Sequence, residues 1–382
     1  MAKKQSKAKK QSQSKLIKII KTIKTNKTNK TNKGLYLFCW LKVDLDLFLF
    51  RTTNFNSFAR YRGAAMATIA WVDLFCGVGG VSTGVSAVPA VEVVLAVDSS
   101  PQAVACYRQN HPNHKTEEMK LGGRLKQLIK TIREAAAGRP IHLHGSPPCQ
   151  KLSRCNVLTR SSVDGLQLVR WFFKLVRALE PASYSMENVP NVALERYLLR
   201  MGIPFARVDC SLHGCTQRRD RILAVSTAAM ADWLGAPSNP QTVLPSQVLP
   251  HLAGERYRLQ TGTDNTSVKK RLCDGTYKAS GWRAIRPGEC SRNLDEHTYT
   301  VTRQGLKLYD SVEQRVLRRL TVAETAAIQG FGDYDFAALA TSRAMLYIAN
   351  AVPPPVARRL AERVCLQHST ADNQGCIEFS RI

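Results

Sequence analysis

Three short segments hold the residue types that could carry covalent chemistry. Cys149 stands in Gly145-Ser146-Pro147-Pro148-Cys149-Gln150, where two prolines fix the backbone and set the next side chain on a rigid turn. A thiol presented there is a candidate nucleophile, because the thiolate is the reactive form and needs support from its surroundings. An isolated cysteine is more often a small buried hydrophobe, so the neighbouring segments decide between the two. Glu187-Asn188-Val189-Pro190 closes an apolar run and supplies a carboxyl that can act as an acid if its setting keeps it protonated. Gln217-Arg218-Arg219-Asp220-Arg221 precedes another such run. If that segment is extended, Gln217, Arg219 and Arg221 share one face; the plainer alternative is a solvated, charged edge.

A fourth segment points to a small-molecule ligand. Asp73-Leu74-Phe75-Cys76-Gly77-Val78-Gly79-Gly80 follows a strand-like run and leads into a helix, and its glycines let the backbone approach a ligand closely. Asp98 ends the next apolar run, VEVVLAVD, where a carboxylate can accept hydrogen bonds from ribose hydroxyls. Alone, Asp98 would serve as a helix cap. Paired with the glycine turn at this spacing, it suggests an adenosine-containing cofactor. A phosphate-binding GxxxxGK[ST] segment is missing, which disfavours ATP.

Strands and helices must alternate to place these loops. Strand patterns lie at 69–75, 91–97, 141–144, 182–186 and 222–226; helical patterns lie at 101–110, 121–137 and 166–179. That order predicts an α/β fold with a doubly wound, mostly parallel sheet. From about Ala228 to Leu294, Pro, Gly, Thr and basic residues replace the alternation and predict a small separate lobe. Helical spacing returns from Val312 to about Ile328 and again after Pro353.

Charge narrows the partner. The chain of 382 residues carries 55 Lys+Arg against 29 Asp+Glu, and residues 66–382 alone hold a net +12, which suits contact with a phosphate backbone. Residues 1–33 contain 12 Lys and the repeat KTNKTNKTNK. Such a run buries too little apolar surface to fold and reads as a dispensable basic extension. Met66, just before the first strand pattern, is read as the natural start. The eleven Cys include no CxxC pair, so neither a zinc cluster nor any other metal site is expected. No secretory signal or spanning apolar stretch is present, and reduced thiols in an intracellular setting are expected: cytoplasm or nucleoid, or nucleus in a eukaryote.

In order and spacing, these segments resemble the C5-cytosine DNA methyltransferase family, with further matching segments at RRLTVAETAAIQGF (318–331) and NAVPP (350–354). The resemblance spans roughly Val72 to Ala361. It implies a Rossmann-like methyltransferase fold with a target-recognition lobe, and transfer of a methyl group from S-adenosylmethionine to C5 of a flipped-out cytosine through a covalent adduct between Cys149 and C6. It implies catalytic roles for Cys149, Glu187 (at N3) and Arg219 (at O2). It places Phe75, Gly77, Gly79, Asp98, Asn350 and Ala351 at the cofactor. Against double-stranded DNA it sets Gln150, Ser153, Gln217, Arg221, Arg256, Arg258, Lys270, Arg271 and Arg283. The expected organisation is a 1–66 extension, a 67–227 catalytic and cofactor domain, a 228–300 recognition region, a 301–365 return to the catalytic domain and a 366–382 tail. A monomer is expected, with a cognate restriction endonuclease as partner if the enzyme modifies restriction sites. RNA cytosine methylation, or a catalytically weak DNA-binding paralogue, are the alternatives. The chain departs from the family at Leu152 (usually Phe), Asp98 (usually Glu), Gly332 (usually Pro) and Ala349 (usually Gly), the last implying a strained turn there.

Overall fold

Strand β1 (Ile69–Leu74) is buried along its whole length, and the rest of the fold is arranged around it. The structure is a computed structural model and describes residues 68–148, 166–236, 243–261 and 291–371. All belong to the second of two compact units, Ala67–Ile382. After β1 come α1 (Gly80–Val85), β2 (Val91–Asp98), α2 (Pro101–Asn110), β3 (Thr116–Glu118), α3 (Leu125–Ala136) and β4 (Ile141–Gly145). Then follow α4 (Gln167–Leu179), β5 (Ser183–Asn188), α5 (Val192–Arg200), β6 (Phe205–Asp209), β7 (Asp220–Val225), α6 (Ala228–Gly235) and the one-turn helix α7 (Pro245–Val248). These strands form one seven-stranded sheet in the order β3-β2-β1-β4-β5-β7-β6. β1 pairs in parallel with β2 and β4, as do β2 with β3 and β4 with β5, while β7 runs antiparallel to both β5 and β6. The predicted doubly wound, mostly parallel α/β fold is what forms.

Alternation along the strands feeds two cores. Ala70, Val72, Leu143, Tyr184 and Met186 face α3, α4 and α5 through Ile132, Phe172, Leu175 and Leu198. Ile69, Trp71, Val93, Leu223 and Val225 face α1, α6 and a C-terminal helix, α10 (Pro354–Ala371), through Val85, Met230, Val356 and Leu360. Each buried Val, Leu, Ile, Phe or Met among them contributes about 1.5–3 kcal/mol. Three of these helices begin at a side-chain cap: Ser100 accepts from the Ala103 amide, Asn191 from Ala193 and Thr227 from Met230.

A second, four-stranded antiparallel sheet has the order β11-β10-β8-β9. It contains β8 (Tyr257–Thr261), β9 (Ser291–Asn293), β10 (Leu306–Asp310) and β11 (Arg315–Arg319). Leu259, Leu306 and Leu308 share a core with helices α8 (Val322–Gln329) and α9 (Thr341–Asn350) and with Val78 and Ala103 beside the first sheet.

Four sequence expectations differ from this. The helix predicted over 312–328 is a strand, β11, followed by α8, which starts only at a Thr321–Glu324 capping box; pairing with β10 overrides the helical spacing. The helix predicted from Leu121 starts at Leu125, after Gly122 and Gly123. The segment 228–235, assigned by composition to the lobe, is α6 and packs into the core on β6 and β7. The C-terminal helix continues past 365 to Ala371.

Candidate active site

The carboxyl ends of β1, β2, β4 and β5 lie side by side, and the winding direction reverses between β1 and β4, the place where such sheets form a ligand crevice. The loop after β1 turns by left-handed backbone at Phe75 (φ 59°), Gly77 (φ 54°) and Gly79 (φ 91°). At Gly79 a Cβ would also sit 2.9 Å from the Tyr107 ring, so glycine is needed on both counts. Asp98 holds this loop: its Oδ2 accepts from the Gly77 amide at 2.9 Å and its Oδ1 from Ser100 at 2.8 Å. Each oxygen keeps a further lone pair for a ligand hydroxyl. Phe75 meets Trp171 edge to face at 6.1 Å, and a Cβ at Gly77 would meet nothing within 4 Å. An open backbone turn flanked by a carboxylate and an aromatic edge fits a ribose bearing a flat base.

Asn350, exposed at the end of α9, and Ala351 come to the same region. Tyr347 of α9 hydrogen-bonds Ser100 at 2.6 Å, and the Ala351 methyl lies 3.1 Å from where a Cβ on Gly80 would be. Ala349 is helical and is not among the residues with positive φ, so the strain implied by its departure from the family does not arise. Of the acidic residues on β3, Glu117 pairs with Lys115 and Glu118 lies in register with Asp98.

Beneath the loop, Asp73 is fully buried. Its Oδ2 accepts from Ser82 at 2.7 Å, Tyr107 donates to Ser82 at 2.7 Å, and Tyr107 in turn meets His114 Nδ1 at 2.9 Å. Burial pushes the Asp73 carboxyl up to about 7, against the pull of Ser82.

The nucleophile candidate Cys149 and its neighbours Gln150, Leu152 and Ser153 lie outside the described residues, but the base of their loop is visible. Gly145 packs against Phe172, where a Cβ would be 2.6 Å from the ring. The Ser146 amide donates to Leu74 at 3.1 Å, and the Asn188 side chain donates to the Pro147 carbonyl at 3.1 Å. The β1, β4 and β5 loops are thereby stitched together.

Glu187, 8% exposed, is the titratable group at this junction. Burial raises its carboxyl above the usual range, although Arg221 and Arg219 both pull the other way. The arginine bonded to it is Arg221, with Nε 2.7 Å from Oε1. Arg219, assigned by resemblance to the base, is 1% exposed and directs its guanidinium to backbone carbonyls: Ala349 at 2.6 Å, Ala351 at 3.3 Å and Val301 at 3.4 Å. Gln217, expected at DNA, is likewise buried and holds Gln329 at 2.6 Å and the Val301 amide at 2.9 Å. The predicted shared face is present, since Arg218 and Asp220 point to solvent. Its inner end, Gln217 and Arg219, meets buried protein groups, and its outer end, Arg221, reaches the carboxyl.

Of the lobe residues, exposed Arg256 is engaged by Asp310 and Glu313, and Arg258 is half-buried on β8. Lys269, Lys270, Arg271 and Arg283 lie outside the described residues. Trp171 and Tyr347 carry no local signal in the sequence, and Asn188 stands there only as part of the Glu187 segment. Asn188 could have been found from its place after Glu187; the other two are brought in by distant helices.

Residues 69–365 match the family described as C-5 cytosine-specific DNA methylase. A Type II methyltransferase from Haemophilus parahaemolyticus, M1.HphI, is 25% identical over 338 residues, covering 78% of this chain and 87% of its own. M.AplI from Arthrospira platensis is 26% identical, covering 77% and 84%. Among solved structures, a DNA modification methyltransferase encoded in an Escherichia coli prophage superposes with a TM-score of 0.55 at 18% identity, covering 79% of this chain and 99% of its own. The Entamoeba histolytica methyltransferase EhMeth gives 0.51 at 16% identity, covering 81% and 99%. These two likenesses concern the fold.

Proposed function

The chain belongs to the C-5 cytosine-specific DNA methylase family and is a DNA cytosine-5 methyltransferase; we propose that Cys149 is its nucleophile, Glu187 its acid and Arg221 the positioning cation. The Glu187–Arg221 pair carries this reading: a buried carboxyl with a raised affinity for protons, fixed from one side, one strand away from the Cys149 loop. C5 of cytosine is a weak nucleophile. Thiolate addition at C6 pushes electron density onto C5, and a protonated Glu187 at N3 neutralises the charge that develops. Arg221 keeps the carboxyl oriented and offers its remaining N–H groups to the base oxygen. Arg219 holds the 349–351 segment in place behind it. Neither ring carbon is reachable in a stacked duplex, so the base must leave the helix.

Phe75, Gly77, Asp98 and Ala351 are the residues that would hold S-adenosylmethionine, which when bound supplies the methyl group. We also read the second sheet, together with the 262–290 segment, as the DNA-recognition part. In keeping with the Type II relatives, the enzyme would modify the sites of a cognate restriction endonuclease.

Tritiated methyl transfer tests the assignment. The wild-type protein should label DNA and Cys149→Ala should not. Equal labelling by both overturns the nucleophile, and labelling of RNA alone overturns the substrate.

A further inference from the structure

The face of β4 and β5 that turns toward α10 carries polar side chains for which the methyl-transfer chemistry above has no use. Parallel register sets His142 opposite Ser183 and His144 opposite Ser185, and all four are 0–1% exposed. They are joined end to end. His368 of α10 meets Ser183 at 3.1 Å, Ser183 meets His142 Nδ1 at 2.7 Å, and His142 Nε2 meets Ser185 at 2.8 Å. Ser185 also meets His144 Nδ1 at 2.8 Å, and His144 Nε2 meets Ser146 at 2.9 Å. Ser146 is in the Cys149 loop; His368 is half-buried near the end of α10. Trp71 stacks on His142 at 4.0 Å and lies over His144 at 6.1 Å, which fixes the ring planes.

Two properties separate this row from a merely satisfied polar core. Hydroxyls and imidazoles alternate without a gap. Both internal imidazoles also point the same way, Nε2 toward Ser146 and Nδ1 toward His368, so one set of Nδ1–H tautomers lets every group donate in the same direction. Burial keeps both rings neutral, His144 pushed down to about 3. A neutral chain moves a proton by concerted hops without placing a lasting charge in the core.

The reaction needs such an exit. In the last step the C5–H bond breaks, its electron pair restores the C5=C6 double bond, and the C6–S bond breaks to return the thiolate. One proton is left over for each methyl group transferred. We propose that the row from Ser146 to His368 is the proton relay that carries it to solvent, an inference that rests on Cys149 as the nucleophile. Ser146 Oγ accepts the proton as its own passes to His144 Nε2. The Nδ1 proton of His144 passes to Ser185, and Ser185 gives its proton to His142 Nε2. The same two hops through His142 Nδ1 and Ser183 protonate His368, which discharges to water. His368 lies beyond residue 365, where the family match ends.

The test uses the full-length protein and plasmid DNA carrying tritium at cytosine C5, in a single turnover with S-adenosylmethionine. Tritium release reports loss of the C5 proton, and a denaturing gel reports the covalent adduct. His368→Ala and Ser185→Ala should slow tritium release about tenfold, a part of the usual general-base contribution, while the adduct forms at the wild-type rate. Free imidazole in the buffer should restore His368→Ala and leave Ser185→Ala slow. Thermal melting of His368→Ala, a change at the half-buried end, checks that the fold is intact. Wild-type release in His368→Ala, or slow release that imidazole does not rescue, overturns the relay. Release that survives Cys149→Ala overturns the nucleophile assignment beneath it, and does so without reference to the relay variants.

Discussion

The two sheets use their charged residues in opposite ways. In the seven-stranded sheet, the charges that reach the site are buried and lie at or beside strand ends, as at Asp73, Glu187 and Arg219. In the four-stranded sheet and its flanks, arginines are plentiful, and several are occupied internally. Arg256 binds Asp310 and Glu313, Arg315 binds Glu313, and Arg318 binds Glu324. Arg292 lies over Tyr299 at 4.6 Å. A high count of basic residues therefore overstates the positive surface left for DNA, while on the proposal above the buried charges of the first sheet carry the chemistry.

The sharpest way to break this contrast lies within the first sheet. Arg221→Ala should lower methyl transfer by about 10²–10³-fold with little change in melting temperature. Arg219→Ala, which strips three carbonyls of a buried partner, should cost about 3 kcal/mol of stability in a denaturant titration. If Arg219→Ala stays fully stable and only the rate falls, the two roles are exchanged.

Comparable in size is the pH dependence, where the regions should differ in sign. Asp73 binds protons more tightly when folded. Its contribution is present at low pH and is lost as pH rises from the usual carboxylate range through about 7, up to about 4 kcal/mol. Asp73→Asn should remove that slope from a series of melts. At Glu324 burial alone would raise the carboxyl, but Arg318, His251 and the Thr321 amide outweigh it and bring it down to about 2. Its contribution is present at neutral pH and is lost as pH falls from the usual range through about 2. Glu324→Gln should flatten the acid limb alone.

The smallest effect belongs to Arg256. Arg256 is half exposed and already engaged by the buried Asp310 and by Glu313, so in Arg256→Ala the DNA affinity measured over a salt series should keep its slope. A slope reduced by about one would mark Arg256 as a phosphate contact and would erase the contrast.

Sequence reading recovered the parallel sheet and its loops because those signals are local. Apolar runs end in glycine turns at 75–80, in Pro-Pro at 147–148 and in Glu-Asn at 187–188. It missed β6 and the second sheet, whose strands are short and held by partners far along the chain: β8 pairs with both β9 and β10. The 312–328 segment has helical spacing and still forms a strand at 315–319, because β10 offers backbone partners that no local pattern records. At 217–221 the sequence showed which side chains share a face but not how deep each would lie. Depth separates Arg219, on backbone carbonyls, from Arg221, on Glu187. The relay was equally hidden, since His-x-His and Ser-x-Ser become a row only when β4 and β5 align.

One contact links the two ends of the described chain. Gly84 of α1 sits so close to α10 that a Cβ would lie 2.1 Å from the Pro354 carbonyl and 2.8 Å from the Ala357 methyl. α1 therefore leaves the ribosome about 270 residues of synthesis before the surface it packs on. At roughly 5–20 residues per second, that wait is on the order of tens of seconds. Through it Val81 and Val85 lack the α10 side of their core, which closes only once synthesis has passed α10.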